Sequence, residues 1–133
     1  MAILDAVKAV QDAMITLTGI KTAADYPGPG VFPLVITHLG SGDIVPGNPT
    51  GARRELHNIV VELHVAQGGS DTDSFTVLET LHALVVPELC RDVTFAGSLQ
   101  TYTNITYSTS RSSWDGAPTV ARFYTLNQCK IIA

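Results

Sequence analysis

Four histidines, at positions 38, 57, 64 and 82, are the residues of this 133-residue chain best suited to chemistry. An imidazole titrates near neutral pH and binds metals, so each is a candidate base or ligand. Glu62 and His64 stand two apart in an alternating run, which on a strand places both on one face, with Asn58 on the same side. Two such ligands begin a metal site, but a third would have to come from elsewhere. The histidines form no HExxH, and Cys90 and Cys129 form no CxxC. His57 opens the same run on the opposite face and His82 belongs to a helical segment, so both read as structural. The serines and threonines from Thr101 to Ser113 include no GxSxG elbow. Gly28, Gly30, Gly40 and Gly42 fit turns, because no helix follows a Walker or GxGxxG spacing. Cys90 follows a helix in apolar surroundings that blunt a thiol, and Cys129 reads as a small core residue. The expectation is a chain that is no enzyme, with no catalytic, cofactor or metal site. A small metal-dependent enzyme built on Glu62 and His64 is the rival reading.

The elements that would position these groups follow from hydrophobic periodicity. Ile3, Val7, Val10, Met14 and Leu17 form one helical stripe, with Asp5, Lys8, Gln11 and Asp12 on the other side. Gly19 is the expected cap. Residues 25–30, Asp-Tyr-Pro-Gly-Pro-Gly, forbid regular structure. The run from Val31 to Leu39 predicts a strand that starts at or after Pro33 or lies at an edge, since proline donates no ladder bond. Residues 40–51 read as a long Gly/Pro/Asn loop.

Leu56 to Ala66 is the clearest strand, with Ile59, Val61, Leu63 and Val65 on a dry face and Asn58, Val60, Glu62 and His64 on a polar one. A second helix starts at Ser70 or Asp71, presents Val77, Leu78, Leu81, Leu84 and Val85 inward, and is limited by Pro87. Val93–Phe95, Leu99–Ser108 and Thr119–Ile132 read as strands, with a polar connection over residues 108–118. The order predicts an α+β fold, mainly an antiparallel sheet packed against two amphipathic helices, in a single domain over residues 1–133.

Composition narrows the partners. Charged residues make up 15% of the chain against about 25% in a typical domain, so part of the exterior must be Ser, Thr, Gly or apolar, which suits a surface covered by a partner. The net charge of −4 and the lack of a basic run disfavour autonomous nucleic-acid binding. No apolar stretch approaches membrane-spanning length, and the first residues lack the features of a signal peptide. The cysteines are therefore expected to stay reduced in a cytoplasm. Two segments are disposed for contact: Asp43 with the charged start of the best strand at Arg53 and Arg54, and Arg111, Trp114 and Asp115. Trp and Arg most often anchor interfaces, although a lone Trp equally well closes its own core.

The layout resembles the tail-terminator and tail-completion proteins of long-tailed bacteriophages. The strand RRELHNIVVELHV and the block ITYSTSRSSWDGAPTVARFYTLNQ carry most of the resemblance, with the Pro-Gly turn DYPGPG before them. It implies a virion protein, made in the host cytoplasm, that assembles into a ring, commonly a hexamer. Such a ring caps the tail tube, halts its polymerisation and meets the head–tail connector, while DNA passes through without specific binding. A head-side connector or head-closure subunit of the same joint is the alternative.

Overall fold

The computed structural model describes residues 3–17, 20, 22–24, 32–46, 53–66, 71–91, 99–114 and 116–131. Helix α1, Ile3–Ile15, forms as its stripe predicts: Ala6, Val7, Val10 and Met14 are buried. Gln11 departs from its expected place. It sits four residues after Val7 and three before Met14, which puts it on the inner stripe, and its Nε2 donates to the Val35 carbonyl at 3.4 Å. Leu17 also packs against the core, while Gly19 lies outside the described residues.

Strand β1, Thr22–Ala24, runs parallel to the start of β2, Leu34–Pro46. β2 begins directly after Pro33, as the missing donor requires. It does not stop at Leu39. Residues 40–46, expected in a loop, continue the strand against β3, Arg53–Ala66. Glycine makes this possible at close quarters: a Cβ on Gly40 would lie 2.9 Å from Val60 Cγ2, and one on Gly42 would lie 2.7 Å from the Leu56 carbonyl.

Helix α2, Asp71–Arg91, continues one turn past Pro87. An internal proline costs about 3 kcal/mol, and burying Leu89 just beyond it offsets much of that at roughly 1.5–3 kcal/mol. Tyr102 then donates to the Leu89 carbonyl at 2.9 Å, satisfying an acceptor of the last turn. Ser74, Leu78, Leu81, Val85 and Leu89 form the buried stripe. Val77 and Leu84 are exposed, because each is rotated about 100° from its buried neighbour at 78 or 85.

The chain ends in β4, Leu99–Thr101, β5, Asn104–Trp114, and β6, Ala117–Ile131. The polar connection expected over residues 108–118 is mostly strand: Trp114 registers with Ala117, and Gly116 turns at φ 81°. The expected strand at residues 93–95 lies outside the described residues. The sheet order is β1-β2-β3-β6, with β4 and β5 both along the outer side of β6. Four long strands pair antiparallel and both helices contribute to the core on one face, an α+β architecture. Ile59, Val61, Leu63 and Val65 meet Val120, Tyr124 and Leu126 there, beneath α1 and α2.

The opposite sheet face is not simply wet. Leu34, Ile36, His64, Thr119 and Ala121 are buried on it, so the face expected to be polar carries a second, smaller packed layer.

Candidate functional site

On the face away from the helices, the β2–β3 register sets His38 and Ile36 beside Val60 and Glu62. His38 therefore reaches Glu62 across the strands, its Nε2 lying 2.5 Å from Oε2. His64 Nε2 lies 3.0 Å from the other oxygen, Oε1. The Nδ1 of the same ring lies 2.9 Å from the Thr119 hydroxyl oxygen, so both ring nitrogens have a partner. The hydrogen bond from His64 holds the Glu62 carboxyl below the usual carboxylate range; burial opposes this and His38 adds to it. Glu62 and His64 thus come together as their spacing predicts, and His38 is the third member that spacing could not name. Asn58 does not join them. Both Glu62 oxygens are occupied by imidazoles, and no three His, Cys, Asp or Glu among the described residues form a metal-holding group.

Trp114 belongs to this same cluster. Its ring centroid lies 5.1 Å from that of His64, and the Phe123 ring stands edge-on to the histidine at 6.1 Å. The indole is half-buried and covers an imidazole only 1% exposed.

A second constellation lies on the helix side, between α2 and the β5–β6 pair. Tyr124 registers with Tyr107, and His82 of α2 stacks over Tyr124 with its Nδ1 2.6 Å from the phenol oxygen. Burial pushes the Tyr124 phenol up to about 12 and pushes the His82 imidazole down. Both shifts favour the same state, a neutral imidazole accepting from a protonated phenol. Arg122 lies beside them, donating through Nε to Thr109 at 2.8 Å and through Nη2 to Glu79, with its guanidinium 5.3 Å from the centre of the Tyr107 ring. Burial works against the Arg122 charge, and Glu79 more than offsets it, so its pKa rises.

His82, Val86, Leu89, Tyr102, Ile105 and Tyr107 are among the residues that line a half-open cavity of about 400 Å³ beside this cluster. Its wall is mainly apolar and aromatic. Such a lining accepts an apolar group more readily than a charged one.

The residues expected at interfaces are distributed over distant parts of the sheet. Asp43 is exposed on β2 and Arg111 is exposed on β5. They face opposite sides: Arg111 registers with Val120 of the helix side, and Asp43 registers with Leu56 of the other. Arg53 and Arg54 start β3 opposite Pro46 and Val45, and Asp115 lies outside the described residues. Two exposed apolar groups stand near these positions. Ile44 adjoins Asp43 on β2, and Tyr107 lies on the same strand as Arg111. Alternation within residues 104–114 was the available signal for Tyr107; Ile44 had none, because its segment reads as a loop.

The chain matches no protein-family model and no curated protein.

Proposed function

We propose that this chain is a ring-forming structural subunit of a bacteriophage tail, the terminator that caps the tube and stops its growth. The observation that carries the self-assembly part is the separation of its exposed apolar groups. Leu4 and Ile15 on α1 are 68% and 59% exposed, while Ile44 on β2 and Tyr107 on β5 are 63% and 60% exposed. Large apolar groups at several separated places on a chain this poor in charge favour burial by more than one contact. A ring built head-to-tail needs two different patches on each subunit, and this distribution supplies them.

The place in the tail rests on the resemblance of the Arg-led strand β3 and the β5–β6 hairpin to tail-terminator proteins. In this reading one end of the ring meets the tail tube protein, the other meets the head–tail connector, and DNA passes through the hole. The net charge of −4 suits a passage that must not hold DNA. The ring resides in the virion, at the junction of tail and head.

Native mass spectrometry of the purified protein, alone and with the phage's tail tube protein, tests the assembly. A ring, commonly of six subunits, is expected in at least one of the two. A strict monomer that also ignores the tube protein overturns it. Loss of the gene is expected to give overlong tails. Full heads that leak DNA beside normal tails would move the subunit to the head side.

A further inference from the structure

No strand among the described residues pairs with the outer edge of β5. Among the described residues β5 pairs with β6 alone, and its 11 residues carry no proline, no lysine and no register shift. At roughly 3.3 Å per residue β5 is about 35 Å long. Sheet proteins usually blunt such an edge with lysine, proline, a bulge or a covering segment. β5 has a single charged residue, Arg111, and is otherwise Ser, Thr, Asn, Ile, Tyr and Trp. It is an edge suited to being paired.

The opposite side of the sheet offers a matching strand. β1 pairs with β2 only from Leu34 to Ile36, so among the described residues the stretch Gly42–Pro46 is bonded to β3 on one side alone. That stretch forms an arm set off from the rest of β2 by the register shift between Leu39 and Gly42. Gly42 registers with His57, His57 registers with the core residue Cys129, and Ile44 is two residues farther on. Ile44 therefore points to the helix side of the sheet. Tyr107 also lies on the helix side, through its register with Tyr124, at the mouth of the cavity between α2 and β5.

We infer that the β2 arm of one copy adds as a strand to the β5 edge of the next, seating Ile44 against Tyr107 over the cavity beside α2. This rests on the ring reading above and names its contact. The occupant has to bring a strand that pairs on one side only and an exposed apolar side chain on the helix side; among the described residues, Gly42–Pro46 and Ile44 meet both conditions. The two halves of the contact lie at opposite sides of one sheet, so the pairing is head-to-tail, as ring closure requires. The main-chain ladder supplies length, and Ile44 supplies an apolar anchor that sets position along it. Asp43 and Arg111 face opposite sides and take no part together.

Two substitutions at exposed positions separate the halves. Ile44→Asp spoils the arm and Tyr107→Asp spoils the edge, and circular dichroism with a thermal melt checks that each still folds. Each variant alone is expected to be monomeric in native mass spectrometry, its association weakened by roughly 30-fold or more. Mixed together they are expected to form 1:1 dimers and nothing larger, because one intact arm–edge contact remains. The milder Ile44→Ser and Tyr107→Ser serve as a second pair should either aspartate variant fail to fold. Rings that persist in both variants overturn the inference and leave the ring reading standing. A mixture that yields no dimers also overturns it. A wild-type chain that never assembles, with or without tube protein, removes both.

Discussion

Asn58 Oδ1 accepts a hydrogen bond from the Gln128 backbone nitrogen at 3.0 Å, where Gln128 adopts a left-handed conformation at φ 57°. The same side chain donates from Nδ2 to Ser41 Oγ at 2.9 Å. Both strands that flank β3 lose register at this level, β2 between Leu39 and Gly42 and β6 between the partners of His57 and Ile59. Asn58 thus ties two irregularities together from the strand between them. Bulges bend and twist a sheet, and this line of residues lies where β2 passes into residues 42–46.

Replacing Asn58 with Ala removes both bonds and leaves the Gln128 amide without its acceptor. The expected loss is about 1–3 kcal/mol in urea unfolding. Asn58→Asp keeps the acceptor for Gln128 and is expected to lose less. Equal stabilities for all three proteins would show that the two register shifts need no tie.

Gly42 has no room for a side chain. A Cβ there would meet the Leu56 carbonyl at 2.7 Å and the His57 Cα at 3.3 Å, and backbone cannot swing aside. Gly42→Ala is expected to push the arm off β3 and cost roughly 1–3 kcal/mol. Amide exchange along residues 53–57 should accelerate while exchange along residues 59–65 stays slow. Unchanged protection in both stretches would count against the close approach.

Glu62 makes stability depend on acid. Its pKa is depressed in the fold, so its contribution is present above the ordinary carboxylate pKa of about 4.3 and is lost as pH falls through the folded value. The urea midpoint of the wild type is expected to drop below that pH. Glu62→Gln should start lower at pH 7 and fall less steeply, so that the two curves converge in acid. Parallel curves would mean that the His38–Glu62–His64 contacts give the carboxylate no preference for its ionised form.

The two thiols should react at very different rates. Cys90 is exposed, whereas Cys129 is buried, donates from Sγ to the Leu126 carbonyl at 3.3 Å, and is pushed up to about 11 by burial. A thiol-selective reagent at pH 8 is expected to label one cysteine quickly and the second only after denaturant is added. Fast labelling of both in native buffer would place Cys129 outside the core.

Local patterning settled most of α1 and the centre of the sheet. Val7, Val10 and Met14 in α1 and Ile59, Val61, Leu63 and Val65 in β3 are buried as their spacing demands, because a repeat of 3.6 or 2 leaves only one face to cover. Val120, Tyr124 and Leu126 follow the same rule in β6. The pairing of Glu62 with His64 was equally legible, since both belong to one strand. The proposed ring and its place in a tail rest on resemblance, not on periodicity.

Tertiary structure decided the rest, and each case turns on a contact distant in sequence. Residues 40–46 look like a loop because two glycines and a proline interrupt them, yet those glycines let β2 lie close against β3 there. The serines and threonines of residues 108–113 look like a connection, yet β6 supplies the ladder that makes them strand. His38 joins Glu62 through register alone. His64, expected on a wet face, is covered by Trp114 from the far end of a hairpin. Spacing along one strand tells which residues share a face; only the register between strands tells which faces meet, and that register comes from pairing and bulges across the whole sheet.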